Sequence, residues 1–230
     1  MDREKIRIAI LDYHRNDKNI TESEKIKKRL SQSGADVDIH KILKGQLPNI
    51  VDYNSLVLSG SDTYNLLDRH DAKKSMEVVE RAESLGKKVM AFCGGFELLA
   101  VVGYGLKYGE LEKGECGFCK INLTGDGRKD SIFNQVPDEY SVLEVHRRII
   151  KYAKKYKVLA VNKNTGNIEA IRFAKNILGM QGHPEDNLEE AKKVIEYYKT
   201  KYGPTSREKL KTEDFLLNNT NFIFENFLRS

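Results

Sequence analysis

Cys93, His183 and Glu185 are the residues whose types and surroundings could carry chemistry together. A cysteine nucleophile acts as its thiolate, needs a base to take its proton, and that base needs a third group to fix its tautomer. Cys93 ends an apolar run, Val89-Met90-Ala91-Phe92, and is followed at once by Gly94-Gly95 and a helix-like pattern, Phe96-Glu97-Leu98-Leu99. A strand turning sharply into a helix with a nucleophile at the corner has this form, with small residues such as Ala91 and Gly95 on either side. The N-terminal end of such a helix would favour thiolate over thiol. Alone, the stretch fits a core cysteine beside a glycine turn equally well. Downstream stands Gly179-Met180-Gln181-Gly182-His183-Pro184-Glu185. His183 can be the base, and Pro184 stiffens a link that holds the Glu185 carboxylate beside the ring. Alone, this too has a plain reading, a loop histidine with a solvated glutamate. The pair of segments makes the chemical reading the stronger one.

The elements needed to position them alternate along the chain. Residues 6–13 form a nearly continuous apolar run, suited to a strand covered on both faces. Thr21-Glu22-Ser23-Glu24 reads as a capping box opening a helix that ends near Gly34. Residues 35–42 and 55–58 read as strands, 71–85 as an amphipathic helix closed by Gly86, and 89–92 as the strand that delivers Cys93. Between about 114 and 181 the runs become shorter and strand-like, including 142–145, 158–161 and 168–173. A last strand, 177–180, leads to His183, and 187–202 reads as a helix. This alternation predicts an α/β fold, a mostly parallel open sheet with helices on both faces and a small antiparallel insertion. Active sites of such sheets lie at the carboxyl ends of the strands, and the turns at Gly60, Cys93 and His183 all follow strands.

The sequence predicts one domain over residues 1–202 and a C-terminal helical extension over 203–230 packed on it. Gly203-Pro204 is the breaker between them, Thr205-Ser206-Arg207-Glu208 could cap the last helix, and Phe215, Leu216, Phe222, Ile223, Phe224, Phe227 and Leu228 would dock it. A dedicated partner helix is the alternative reading.

With 40% hydrophobic and 32% charged residues the composition is ordinary globular usage. No run approaches the roughly 20 apolar residues of a membrane span, and Met1-Asp2-Arg3-Glu4-Lys5 does not begin a signal peptide, so the expected location is cytoplasmic with no membrane contact. Three cysteines argue for reduced thiols rather than a disulfide framework. The formal charge of +5 invites a nucleic-acid reading. Lysines alternate with acids in Glu189-Glu190-Ala191-Lys192-Lys193, however, as on solvated helix faces, and no nucleic-acid partner is expected. Cys116 and Cys119 form a Cys-x-x-Cys, but no second pair completes a four-thiolate zinc site. On a strand the two would face opposite ways, so no metal is expected there. No Gly-x-x-x-x-Gly-Lys phosphate loop is present.

The two chemical segments resemble the nucleophile and histidine motifs of class I (triad-type) glutamine amidotransferases. Leu58-Ser59-Gly60-Ser61 is similar to the family's Gly-rich oxyanion turn. Glu115-Cys116-Gly117 falls where many members have a Glu-Tyr-Gly strand motif. Glu144-Val145-His146-Arg147 falls where a histidine-containing segment helps to bind glutamine, and Ile168-Glu169-Ala170-Ile171-Arg172 resembles the strand before the histidine. Order and spacing agree from about residue 6 to 200, closest in flavour to stand-alone glutaminase subunits such as that of archaeal GMP synthase. The sequence departs from the pattern in four places. Glu97 replaces the family's usual glutamine, and γ-glutamyl hydrolases of the same fold carry glutamate there. Ser61 replaces the second oxyanion glycine. Arg148 stands where GMP synthase subunits have aspartate. Gly182 stands where an aromatic side chain is common, which would open the pocket.

The resemblance implies a catalytic triad of Cys93, His183 and Glu185 and an oxyanion hole from the N–H groups of Gly94 and Ser61, or of Gly60 if the turn shifts by one. It implies substrate contacts from Glu97, His146 and Arg147. The implied activity is hydrolysis of the glutamine side-chain amide without metal or organic cofactor, with ammonia passed to a separate synthetase. A γ-glutamyl peptide hydrolase and a non-catalytic scaffold of the same fold are the alternatives.

Overall fold

The structure, a computed structural model, describes residues 5–15, 21–202 and 220–229. The expected breaker at Gly203-Pro204, the cap at Thr205-Ser206-Arg207-Glu208, and Phe215 and Leu216 of the expected last helix lie outside the described residues. Among the described residues, nine strands form one sheet in the order β2-β1-β3-β4-β9-β8-β7-β5-β6. They are β1 (Arg7–Asp12), β2 (Asp36–Lys41), β3 (Ser55–Leu58), β4 (Lys88–Phe92), β5 (Tyr108–Leu123), β6 (Glu139–Ile150), β7 (Lys157–Asn162), β8 (Ile168–Ala174) and β9 (Ile177–Met180). The pairs β1–β2, β1–β3, β3–β4 and β4–β9 are parallel. The strands β5 to β8 continue the same sheet antiparallel, with β8 antiparallel to β9. The helices are α1 (Glu22–Gln32), α2 (His70–Lys74), α3 (Met76–Ser84), α4 (Cys93–Leu98), α5 (Leu188–Tyr202) and α6 (Asn221–Arg229).

The apolar run of β1 is continuous because both its faces are covered. Ile8 and Ile10 pack into one core with Ile26 and Leu30 of α1 and with Ile223, Phe224 and Phe227 of α6. Ala9 and Leu11 pack into a second core with Met76, Val79 and Ala82 of α3 and Phe96 of α4. Strand alternation therefore distributes one run between two layers. The helix expected over 71–85 is interrupted. Ser75 ends α2 and begins α3, and its hydroxyl, fully buried, binds the carbonyl of Ala72 at 2.6 Å and the hydroxyl of Tyr13 at 2.8 Å. A serine bonding backward to a carbonyl competes with the helical ladder and breaks it.

From β1 the chain moves outward to β2 and then to the other side, through β3, β4 and β9. The carboxyl ends of β3, β4 and β9 are therefore neighbours. The long strand β6 reaches this edge as well, because Leu143 and His183 form an antiparallel bridge. The N–H of His183 donates to Leu143 O at 2.9 Å. Among the described residues no helix is long and apolar enough to cross a membrane.

Candidate active site

Cys93 sits at the junction of β4 and α4 with φ of 43°, a left-handed conformation that side chains other than glycine adopt rarely. The turn closes because Gly95 has no side chain. A Cβ there would lie 2.8 Å from Leu58 Cβ and 2.9 Å from Leu58 O, atoms at the end of β3. The Cys93 thiol points toward Val145 O at 3.7 Å. Burial pushes its pKa up and outweighs the opposing pull of His183, so the thiol is harder to ionise than an exposed cysteine. Burial thus works against the thiolate that the helix end favours.

His183 faces this sulfur across the crevice. Its Nδ1 lies 2.8 Å from Glu185 Oε1, and its buried Nε2 makes no hydrogen bond. A second carboxylate, Glu22, stands 3.6 Å from the same Nδ1. Burial opposes the imidazolium, but Glu22, Glu185 and Cys93 together outweigh it and hold the His183 pKa well above the usual histidine range. Glu185 is itself completely buried. Helix α1 braces this group: Arg29 Nε donates to Glu185 O at 3.0 Å, and Lys25 is ion-paired with Asp186.

The sequence marks Glu22 only as part of a helix cap. The cap is real, since Thr21 Oγ1 accepts from Glu24 N–H at 3.4 Å. It also aims Glu22 back over the Gly60 turn, where the Gly60 N–H donates to Glu22 Oε1 at 2.5 Å. The Gly60 donor is therefore engaged by Glu22. Ser61 N lies 3.1 Å from where a Cβ on Gly94 would stand, so the Ser61 and Gly94 backbones meet beside the sulfur. The first-turn N–H of Gly94 has no acceptor within α4. The hydroxyl of Ser61 does not face this gap but donates to Tyr13 O at 2.9 Å.

Of the expected substrate contacts, Glu97 is near and the others are displaced. The Glu97 carboxylate is buried, pairs with Arg148 Nη1 at 3.2 Å and accepts from Gln181 Nε2 at 3.4 Å. Burial raises its pKa against the pull of Arg148. Arg147 is exposed and points away, donating to Glu112 O at 3.4 Å. The reason is the two-residue period of β6, which turns Arg148 inward and Arg147 outward. Arg148 also lies 4.9 Å above the ring of Tyr64. The His146 side chain is fully buried behind the crevice, between Glu115 at 3.2 Å and Glu144 at 3.1 Å. Gly182 does not open a pocket. A Cβ there would stand 2.6 Å from Glu144 Oε1 and 2.7 Å from Val142 Cγ1, so the space is already filled.

Cys93 and His183 line a cavity of about 260 Å³, together with Ser61, Val145, Tyr197 and Tyr198. A wider depression of about 580 Å³ lies elsewhere, against Thr124, Lys129, Lys151 and Tyr156, and holds neither Cys93 nor His183. The smaller cavity is the candidate site because it brings together a thiol, an imidazole and a turn whose backbone N–H groups face them. Among the described residues, two groups of side chains have the spacing of metal ligands, Glu22 with His183 and Glu185, and Glu115 with His146 and Glu169. In the first, His183 Nδ1 already lies against Glu185 at 2.8 Å and Glu22 at 3.6 Å.

The sequence profile of the class I glutamine amidotransferases matches residues 16–199. The chain belongs to the class I glutamine amidotransferase family. Among curated proteins it is similar to γ-glutamyl peptidase 5 of Arabidopsis thaliana, 25% identical over 72% of this chain and 68% of that one. Among solved structures it is similar to a glutamine amidotransferase from Thermotoga maritima, with a TM-score of 0.75 at 16% identity over 99% of this chain and 98% of the other. A GMP synthase subunit homologue from Thermoplasma acidophilum gives a TM-score of 0.63 at 18% identity, covering 88% of this chain and 100% of the other. These likenesses establish the α/β fold of the family. The names of the relatives differ in the substrate they imply, a peptide in one case and that of a synthase in the other.

Proposed function

We propose that the chain hydrolyses γ-glutamyl amide bonds, the side-chain amide of glutamine among them, through Cys93, His183 and Glu185. The observation that carries this reading is His183, held on one nitrogen by Glu185 at 2.8 Å while the other is buried, unbonded and turned to the cavity it shares with Cys93. His183 takes the thiol proton as the sulfur attacks the amide carbon. The N–H groups of Gly94 and Ser61 receive the oxyanion. As the tetrahedral intermediate collapses the carbon–nitrogen bond breaks, and the imidazolium gives its proton to the departing nitrogen. A γ-glutamyl thioester remains on Cys93. Water, deprotonated by His183, attacks it, and glutamate leaves with restoration of the thiol. The negative environment from Glu22 and Glu185 stabilises the imidazolium that both steps form. None of these steps needs a metal.

Released ammonia would pass to a separate synthetase, since the sequence carries no phosphate loop with which to activate an acceptor. The similarity to a GMP synthase subunit homologue supports that reading. A second reading, hydrolysis of γ-glutamyl peptides, is favoured by Glu97 in place of the usual glutamine and by the γ-glutamyl peptidase relatives. Release of ammonia from glutamine and of amines from γ-glutamyl dipeptides separates the two, with Cys93→Ala as control. Activity on neither, with and without a candidate synthetase, would refute the proposal.

A further inference from the structure

We propose, resting on the hydrolysis by Cys93 and His183, that the hydroxyls of Ser59 and Ser61 are positioning groups that lock the turn after β3. The Ser61 N–H then stands as a fixed oxyanion donor, and the chain turns over without a second protein to set it. Ser59 is fully buried, and its Oγ accepts from Tyr13 N–H at 3.3 Å and donates to Gly60 O at 2.8 Å. Ser61 Oγ donates to Tyr13 O at 2.9 Å and accepts from Thr63 N–H at 2.9 Å. The two hydroxyls thus grip both backbone groups of one residue, just beyond the end of β1. Tyr13 is itself anchored, with its ring fully buried and its hydroxyl bonded to that of Ser75 at 2.8 Å. A third hold comes from α1, where Glu22 Oε1 accepts from Gly60 N–H at 2.5 Å.

These bonds decide which way the Gly60–Ser61 peptide faces. A trans peptide points its carbonyl and its N–H in opposite directions. With Gly60 O held by the Ser59 hydroxyl, the Ser61 N–H is turned to the other side. Its nitrogen lies there 3.1 Å from the place of a Cβ on Gly94, beside the start of α4. Among the described residues this N–H has no acceptor, whereas the neighbouring Gly60 N–H is taken by Glu22. One donor of the turn is occupied and the other is left for the oxyanion. Rotating the peptide to withdraw it would break the bond from Ser59 and bring a carbonyl, an acceptor, round to the side of Cys93. Donors fixed before the substrate arrives need no reorganisation during the reaction.

The test is hydrolysis of γ-glutamyl-p-nitroanilide by the full chain alone, with kcat and KM determined separately, beside the rate at which iodoacetamide alkylates Cys93. Alkylation is displacement at a saturated carbon and forms no oxyanion, so it reports the thiol and His183 without the turn. The wild type is expected to turn over alone. Ser59→Ala and Ser61→Ala should each lower kcat about tenfold or more, with KM and the alkylation rate within about twofold of wild type. The double variant should be little slower than the slower single one, since both hydroxyls hold one turn. If Ser59→Ala, at a buried position, fails to fold, the half-buried Ser61→Ala decides. Wild-type kcat in both variants, or a fall in kcat matched by slower alkylation, would overturn the locked turn and leave catalysis by Cys93 standing. Hydrolysis by the wild type that starts only when a synthetase is added would overturn it in the same way. A wild type inert toward γ-glutamyl substrates under all of these conditions would remove the catalytic reading itself, and the role of the serines with it.

Discussion

Replacing Gly95 by alanine adds one methyl group at a crowded point of the Cys93 turn. Its carbon would lie 2.8 Å from Leu58 Cβ and 2.9 Å from Leu58 O, where ordinary contact begins at 3.4 Å, and nearer still to the Ser59 carbonyl. These atoms belong to the end of β3 and to the turn after it, so none can swing aside as a side-chain tip would. Strand β3 is held on both sides, by β1 and by β4. The adjustment therefore falls on the start of α4, which must lift from β3 and carry Cys93 with it. Overpacking of this kind costs about 1–3 kcal/mol. For a chain of this size that is a fall of about 2–12 °C in Tm. A displacement of roughly 1 Å between nucleophile and base would reduce the rate about a hundredfold. Thermal unfolding and hydrolysis of a γ-glutamyl substrate, measured on the same preparation, read both effects. Gly95→Ala with unchanged Tm and unchanged rate would show that the turn does not depend on close approach of α4 to β3.

Other consequences can be checked separately. Arg148→Ala should destabilise the protein by about 3 kcal/mol in urea titration, because it leaves Glu97 buried without its cation; the exposed Arg147→Ala should stay within about 0.5 kcal/mol. Alkylation of Cys93 by iodoacetamide should rise with pH to a midpoint above that of a free thiol, since burial raises its pKa; Glu22→Gln, which removes a negative charge, should lower that midpoint. Asp12 is fully buried, and although burial opposes its charge, hydrogen bonds to His14 at 2.7 Å and Lys41 at 2.6 Å hold its pKa far below the carboxylate range. Its contribution is complete above the unfolded-state pKa near about 3.9 and is lost as pH falls below it. Urea midpoints should therefore drop more steeply on acidification in the wild type than in Asp12→Asn, and parallel curves would remove Asp12 from the account.

Local patterns gave the α/β fold because they are written in contiguous residues. The continuous apolar run of β1, the cap at Thr21 and the small residues around Cys93 each announce an element without knowledge of the rest. The Cys93 turn and the His183 turn were legible for the same reason, and β3, β4 and β9 being neighbours turned two separated motifs into one crevice. What the sequence could not carry was the side on which a residue lands. Arg147 and Arg148 differ by one position, and the register of β6 alone decides which meets Glu97. Gly182 looked like an open space in a pocket, but Val142 and Glu144 fill it from a strand some forty residues away. Glu22 took its place over Gly60 and His183 only when α1 packed across the carboxyl ends of the sheet. His146, Glu115, Glu144 and Glu169 lie on three strands, and nothing in their spacing says that their side chains point at one another. The sequence by itself determined most of the elements and the turns at Cys93 and His183, since each depends on residues close in the chain. The tertiary structure decided which carboxylates surround that histidine and which charges are buried, because those depend on register and packing between segments far apart in sequence.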